Sequence, residues 1–365
     1  MIAASLILMM SIILVFIAIF LALIPYLTPP NIQFGVRLQG NLVSDDRFRT
    51  LRRRYALFSI PISVAIIISF LLLAPLFPFA VLAGWPLIDI FILFLLYYTF
   101  HLKAAGIKGS SPDVEPKRDG AVVAVPTAPV RVNRAWLAVP WLELALFLIV
   151  GALYYPSIPA RFPVHFSASG SPNSYATKSI LSVFAELLFV GIPVVTLLEA
   201  MAVVSLRVSP FQNARSPRKT AMQMVAFNKT MFYLLVFIAT AVLMTLFLSS
   251  AITWEMVPRS DVFLPIVPVL VILPVTLVVS IRMGQAGSKL YPNVTESGSG
   301  ITERDDDRFW KAGVIYYNKE DNSLLVPKRF GVGYTFNFAH PISWITLAAP
   351  FIVLVIVLAV VTKLI

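Results

Sequence analysis

Long apolar runs alternate with short polar connections from one end of the chain to the other. A bilayer core about 30 Å thick takes roughly 20 residues of α-helix at about 1.5 Å per residue. Eight stretches reach or approach that length: Ala3–Leu27, Leu57–Ala80, Pro86–Leu102, Trp136–Tyr155, Ile180–Leu206, Met231–Ile252, Phe263–Ile281 and Ile342–Thr362. The pattern predicts an all-α polytopic membrane protein of about eight transmembrane helices. A very short turn at Gly84-Trp85-Pro86 must then separate spans two and three. Pro61, Pro75, Pro193 and Pro274 fall inside apolar runs and predict kinks, tolerated in lipid where neighbours satisfy the freed carbonyls. The first run lacks a positively charged start and is about twice as long as a signal-peptide core, so it reads as a retained span.

Composition agrees with the pattern. The chain of 365 residues is 58% hydrophobic and 13% charged, against about 25% charged in a soluble domain. Cysteine is absent, which excludes disulfides, thiolate nucleophiles and Cys-ligated metal sites. The net charge of +11 would suit nucleic acid if it were clustered, but the basic residues flank the apolar runs, so no nucleic-acid partner is expected. Of the 29 Lys and Arg residues, 25 lie in the connections after spans one, three, five and seven; only Arg161, Lys178, Arg259 and Lys363 lie on the other side. By the positive-inside rule those four connections are cytoplasmic, and both termini and the 156–179 loop are extracytoplasmic in a multi-pass cell-membrane protein.

This divides the chain into spans one to three (1–135), spans four and five with their outward loop (136–206), spans six and seven (207–283), a small cytoplasmic module (284–340) and a last span (341–365). Lys103–Asn133 mixes Gly, Ser, Pro and charge and reads as a flexible linker. The end "DDRFRTLRRRY" of the first connection reads as a basic anchor beside the lipid headgroups. In the module, "AGVIYY", "NKEDNS" and "LLVP" read as strand, turn and strand, with Phe330–Phe338 free to pair back. "DRFW" reads as a helix start, and Asp305-Asp306-Asp307 as solvated capping acids without the spaced ligands of a calcium loop. "FGVR" at Phe34–Arg37 and "RFGVG" at Arg329–Gly333 look alike, but four positions do not establish a repeat.

Two sets of residues carry candidate chemistry. In the outward loop, "FPVHF" alternates like a short strand and "SASGSPNSY" is turn chemistry. Arg161, Pro163, His165, Phe166, Gly170, Asn173, Tyr175 and Lys178 form a positive, hydrogen-bonding set suited to an anion, a carboxylate or a peptide backbone. The alternative is an ordered connector in which Lys178 snorkels. Within the spans, Asp89, Glu143, Glu186 and Glu199 are acids that must face protein, water or a partner. Glu143 and Glu186 meet if spans four and five pack side by side, as a proton or ion relay would require. Enzyme chemistry finds no support. There is no HExxH or phosphate-binding GxxxxGK[ST] motif, and His101, His165 and His340 are too scattered for a metal site. No cofactor and no metal are expected.

The stretch "LYYPSIPARFPVHFSASGSPNSYATKS" resembles the extracytoplasmic loop of the SdpI-like family, immunity proteins against a sporulation-delaying toxin and their multispan relatives. The matching positions are Pro159, Arg161, Pro163, His165, Phe166, Gly170, Pro172, Asn173, Tyr175 and Lys178, and the likeness runs on through span five; the family often has Asp where this chain has Asn173. The tail "RFWKAGVIYYNKEDNSLLVPKRFGVGYTFNF" resembles a module often joined to that family, including Trp310, Tyr317, Asn318, Lys328, Arg329, Gly331, Gly333 and Asn337. The resemblance implies a non-enzymatic envelope protein in toxin immunity or signalling, with the bilayer, an extracellular peptide or toxin and a cytoplasmic regulator as partners. The competing reading is a transporter or permease using Glu143 and Glu186.

Overall fold

The computed structural model describes residues 2–38, 40–111, 130–167, 171–208, 217–291, 307–349 and 352. Helix α1 (Ile2–Leu27) leads into a minimal hairpin, β1 (Ile32–Gln33) and β2 (Val36–Arg37), then α2 (Asp46–Leu73) and α3 (Pro78–Gly109). After the linker come α4 (Ala138–Tyr154) and a second hairpin, β3 (Arg161–Phe166) with β4 (Pro172–Thr177). Span five is α5 (Ile180–Glu186) and α6 (Ile192–Ser205), joined by a π-helical segment at Leu187–Gly191. Then follow α7 (Pro217–Thr253), α8 (Val267–Met283) and a module with two more hairpins: β5 (Trp310–Lys311) with β6 (Ile315–Tyr316), and β7 (Leu325–Pro327) with β8 (Tyr334–Phe336). A last helix, α9, covers 341–349.

Seven helical segments among the described residues are long and apolar enough to cross a membrane. The eighth predicted span begins in α9, and most of it lies outside the described residues. The chain is therefore a multispan helical membrane protein with small β elements at its helix ends. Lipid explains this division. Every backbone group within the hydrocarbon must be satisfied inside its own segment, so only helices occupy that depth.

Several sequence expectations are corrected. The turn between spans two and three lies at residues 74–77, not at Gly84-Trp85-Pro86; those three residues belong to α3, and the Trp85 indole donates to Ile66 O and Ser69 Oγ of α2. Pro78, at the first turn of α3, has no N–H that the helix needs there. Pro75 therefore sits in this turn rather than kinking a span. The basic run Arg47–Arg54 is helical, because Asp45 caps α2 by accepting from Arg47 N and the helix starts well before the apolar run. In the module, β6 pairs with β5 and β7 with β8, so "AGVIYY" and "LLVP" do not form a hairpin with each other; Phe330–Phe338 does supply the returning strand. "DRFW" yields a single 3-10 turn running straight into β5.

Helices α1, α2 and α3 pack on one another, while α4, α6 and α8 pack against α7. The principal helix contact between these two bundles is α1 against α8. The β1–β2 connection, the end of α3, the start of α7 and the module gather at one end of the molecule. The β3–β4 hairpin occupies the other.

Candidate functional site

The hairpin end grows from an apolar root. Phe162 and Ala176 face each other across β3 and β4, and both are buried with Ile158, Val183, Phe184, Leu187 and Trp254. The Trp254 indole donates to Val183 O at 3.0 Å, tying α7 to α5 beneath the hairpin. Gly151 of α4 admits this close packing: a Cβ there would lie 2.6 Å from the Phe184 ring and 2.7 Å from Trp254. Ser179 and Ser182 form a capping box that starts α5 immediately after β4. The Lys178 ammonium donates to Ile158 O at 2.8 Å and lies over the Tyr155 ring, so this cation locks the hairpin base.

The outer part of the hairpin is differently used. Strand register shifts on both sides of His165, which pairs with Ser174. His165 and Asn173 are both exposed and lie 2.6 Å apart, Nδ1 to Oδ1. An amide oxygen only accepts, so Nδ1 carries the hydrogen and donates; in the neutral ring Nε2 is then an acceptor. The Arg161 guanidinium lies over the Tyr175 ring, 5.4 Å from its centre, and Arg161 is exposed. Of the residues singled out from sequence, then, Arg161 with the half-buried Tyr175, and His165 with Asn173, form two pairs on the hairpin. Pro163 is buried, Phe166 is half-buried, Lys178 is structural, and Gly170 lies outside the described residues.

The acids within the spans separate. Glu186, on the last turn of α5, accepts from Ser250 Oγ of α7 at 3.1 Å. Glu199 accepts from the Trp141 indole of α4 at 2.8 Å. One oxygen of Glu143 and both of Asp89 are buried without a hydrogen-bond partner among the described residues. Glu186 thus turns to α7, and no bond joins it to Glu143.

At the other end a clasp forms around Arg329, whose side chain is fully buried. Its Nη1 donates to Gly35 O at 3.0 Å and pairs with Asp307, and its guanidinium lies 4.9 Å from the Trp310 ring centre. Asp307 also accepts from Lys108 Nζ at 2.7 Å and from Arg37 N at 3.1 Å. Burial pushes the Asp307 carboxyl up, but the charge of Arg329, then the bond and charge of Lys108 and the bond from Arg37 N, bring it below the usual carboxylate range. Asp307 is therefore not the solvated cap expected from sequence. It is the hub that ties the module to the end of α3 and the first hairpin. Asp305 and Asp306 lie outside the described residues.

Through Arg329 and Gly35 the two look-alike stretches touch, and a third turn joins them. Phe34-Gly35 and Ala312-Gly313 are both turns with positive φ at each residue, and a Cβ on Gly35 would lie 2.6 Å from Gly313 Cα. The Tyr97 hydroxyl is 3.1 Å from both Phe34 O and Ala312 O, while His101 Nδ1 is 2.8 Å from Phe34 O and so must donate to it. The Phe330 ring packs on Tyr97 with centres 3.8 Å apart. Gln285, buried after α8, donates to Lys328 O and Gly333 O and accepts from Gly333 N. Gly331 and Gly333 supply positive φ for this reversal, and burial pushes the Lys328 ammonium down.

Inside the module, Asn337 accepts from Asn318 N and donates to Asn318 O and Asp321 O; Tyr316 donates to Asp321, and His340 Nε2 lies 2.7 Å from Asp321 O. Trp310, Asn318 and Asn337 are core residues, whereas Tyr317 is exposed. The sequence reading gave Tyr97, His101, Lys108, Asp307 and Gln285 no part in joining the module to the helices. The spacing of Tyr97 and His101, one helical turn apart at the polar end of an apolar run, was the signal that could have placed both on one face. No group of three or more His, Asp or Glu residues among the described residues is arranged to hold a metal.

Two stretches match known family profiles. Residues 144–190, which hold the end of α4, the hairpin and the start of span five, match a domain of unknown function, DUF1648. Residues 319–344, which hold β7, β8 and the start of α9, match a family of unknown function, DUF5808. No curated protein and no solved structure matches the chain. The first match covers the hairpin between α4 and α5, and the second covers the later part of the module, Arg329 included.

Proposed function

We propose that the chain is a non-enzymatic receptor of the cell envelope, in toxin immunity or signalling of the SdpI-like kind, whose hairpin binds a peptide outside the membrane. The observation that carries this reading is the division within one hairpin: Phe162 and Ala176 are fixed to the helices, while Arg161, His165 and Asn173 are exposed. Arg161 offers paired donors for a carboxylate or carbonyl, and His165 Nε2 offers an acceptor for an amide N–H. An extended peptide presents both groups. The presence of 25 of the 29 Lys and Arg residues in the connections after spans one, three, five and seven supports a hairpin outside the cell and a module inside, where it would anchor or relay to a regulator.

The test uses cells that lack their own immunity and express this chain, challenged with purified sporulation-delaying toxin peptide. The unaltered chain is expected to protect, and Arg161→Ala or His165→Ala to abolish protection at unchanged membrane levels. Equal survival with the variants removes the hairpin from the mechanism. A tag inserted after Tyr175 that labels only from the cell interior reverses the orientation.

One observation favours a transporter as second reading: Glu186 lies half-buried against Ser250 at the edge of a π-helical segment, an element frequent at functional sites. Ion flux in liposomes that disappears in Glu186→Gln would favour that reading over a receptor.

A further inference from the structure

Asp89 is the acid that the proposed receptor does not use and the packing does not explain. It is 1% exposed, and neither carboxylate oxygen has a hydrogen-bond partner among the described residues. An ionised carboxylate so placed carries a penalty that proteins normally offset with a countercharge. None is near. Of the elements packed on α3, α1 carries Tyr26 as its one titratable side chain, at its far end, α2 carries Tyr55 and the charged turns Asp46–Arg54, and β2, at the clasp end, carries Arg37. On α3 itself the next titratable groups are Tyr97, Tyr98, His101, Lys103 and Lys108. Tyr97 is eight residues on, about 12 Å along the axis, and its hydroxyl is engaged with Phe34 O and Ala312 O.

A second polar group stands at the same height. Helices α2 and α3 run antiparallel, and two contacts fix their register: the Trp85 indole donates to Ile66 O and Ser69 Oγ, and the Phe100 ring lies 5.4 Å from that of Tyr55. Asp89, one turn beyond Trp85, therefore falls level with about residues 62 to 66 of α2. Ser63 is there. It is 4% exposed, and its hydroxyl likewise has no partner among the described residues. Leu93 and Ile66, the next inward positions on either helix, are buried and apolar.

We infer that Asp89 and Ser63 form a binding site for a monovalent cation within the α1–α3 bundle, the cation being a proton or a sodium ion. Both share the same chemistry here: a carboxylate that takes up one positive charge and becomes compatible with its apolar surroundings. A proton makes Asp89 a donor to the Ser63 hydroxyl once the two side chains turn to each other, since no hydrogen bond joins them in the structure. Sodium instead draws on the carboxylate and hydroxyl oxygens together.

The experiment uses the full chain in nanodiscs, as the unaltered protein, Asp89→Asn and Ser63→Ala. Binding of radioactive sodium is measured at constant ionic strength with choline as the replacement cation. The infrared band of a protonated carboxyl is followed from pH 9 to pH 4, as the difference between the unaltered protein and Asp89→Asn. Sodium binding that is lost in Asp89→Asn and weakened about tenfold in Ser63→Ala supports the site with sodium as occupant. No sodium binding, but a carboxyl band that appears with acid and shifts in Ser63→Ala, supports it with a proton. Sodium binding unchanged in Asp89→Asn, or neither sodium binding nor a titrating Asp89 band, overturns the inference. Ser63→Ala keeps Asp89 and the helix contacts, so if the Asn variant fails to fold the test rests on the unaltered protein against Ser63→Ala: about a tenfold loss of sodium affinity or a shifted carboxyl band supports the site, and neither overturns it.

Discussion

On the hairpin between α4 and α5, His165 donates to Asn173 in full view of solvent. In the module after α8, Asn318, Asp321 and Asn337 make the same kinds of bond with almost no exposure. Both regions are small antiparallel β structures at the ends of apolar helices, and both are rich in residues that suggest a site. Burial distinguishes them. A buried polar group must be satisfied by its own fold, so its bonds report on architecture. An exposed pair that holds a side chain in one orientation leaves a free acceptor or donor for something else. The module's conspicuous residues therefore hold the molecule together, whereas the hairpin's are left exposed, as the proposed receptor requires.

The strongest way to break this comparison is to cut the clasp. Arg329→Met removes the charge that Asp307 faces, and with it the bond to Gly35 O. Removing one partner of a buried ion pair costs about 3 to 5 kcal/mol. The module should detach from the end of α3 and become sensitive to protease between residues 284 and 340, with the hairpin unaffected. Cleavage at the rate of the unaltered chain would show that Gln285 and Tyr334 alone hold it.

Two glycines sharpen the point. Gly35 has φ +78, and a Cβ on it meets Gly313 Cα and O at 2.6 Å, so Gly35→Ala combines backbone strain with a collision between two main chains. We expect a loss of about 2 kcal/mol or more in thermal unfolding. Gly333 has φ +115 and nothing within 4 Å of its Cβ position, so Gly333→Ala should show strain alone, about 1 kcal/mol. Equal effects at the two positions would mean that the turns do not bear on each other.

Acid should loosen the same joint by less. The Asp307 carboxyl is held below its ordinary value of 3.8 in the folded chain. Its contribution is therefore complete above pH 3.8 and falls away as pH drops through the lowered value. Below about pH 4 the module should become progressively protease-sensitive as the pH falls, and in Asp307→Asn that dependence should be weaker.

How much of this was legible depended on the range of the interaction. Apolar runs report directly on spans, and "FPVHF" reported a strand, because both patterns are local. The turn at Ala74–Phe77 was misplaced because Gly84-Trp85-Pro86 carries the stronger breaker residues; the Trp85 bonds to α2 keep those residues helical. The module's pairing was misread because its tight turn uses Ala312 at φ +50, a residue that carries no signal for that conformation. Asp307 looked like a solvated acid because its partners lie 22 and 199 positions away. Nothing in its neighbours names Arg329 or Lys108.

The smallest expected effect decides whether the hairpin is a site. His165 is exposed, its one bond is to an exposed Asn173, and it lies outside the apolar root formed by Phe162, Ala176 and Trp254. Surface substitutions away from such roots change stability by about 0.5 kcal/mol or less. His165→Ala should therefore melt with the unaltered chain in detergent, as should Asn173→Ala. Phe162→Ala, by contrast, removes a side chain that is 1% exposed and should cost about 3 to 5 kcal/mol. If His165→Ala also destabilised the chain by more than about 1 kcal/mol, the imidazole would belong to the hairpin's architecture, as Asn337 belongs to the module's, and loss of protection in that variant would no longer point to recognition.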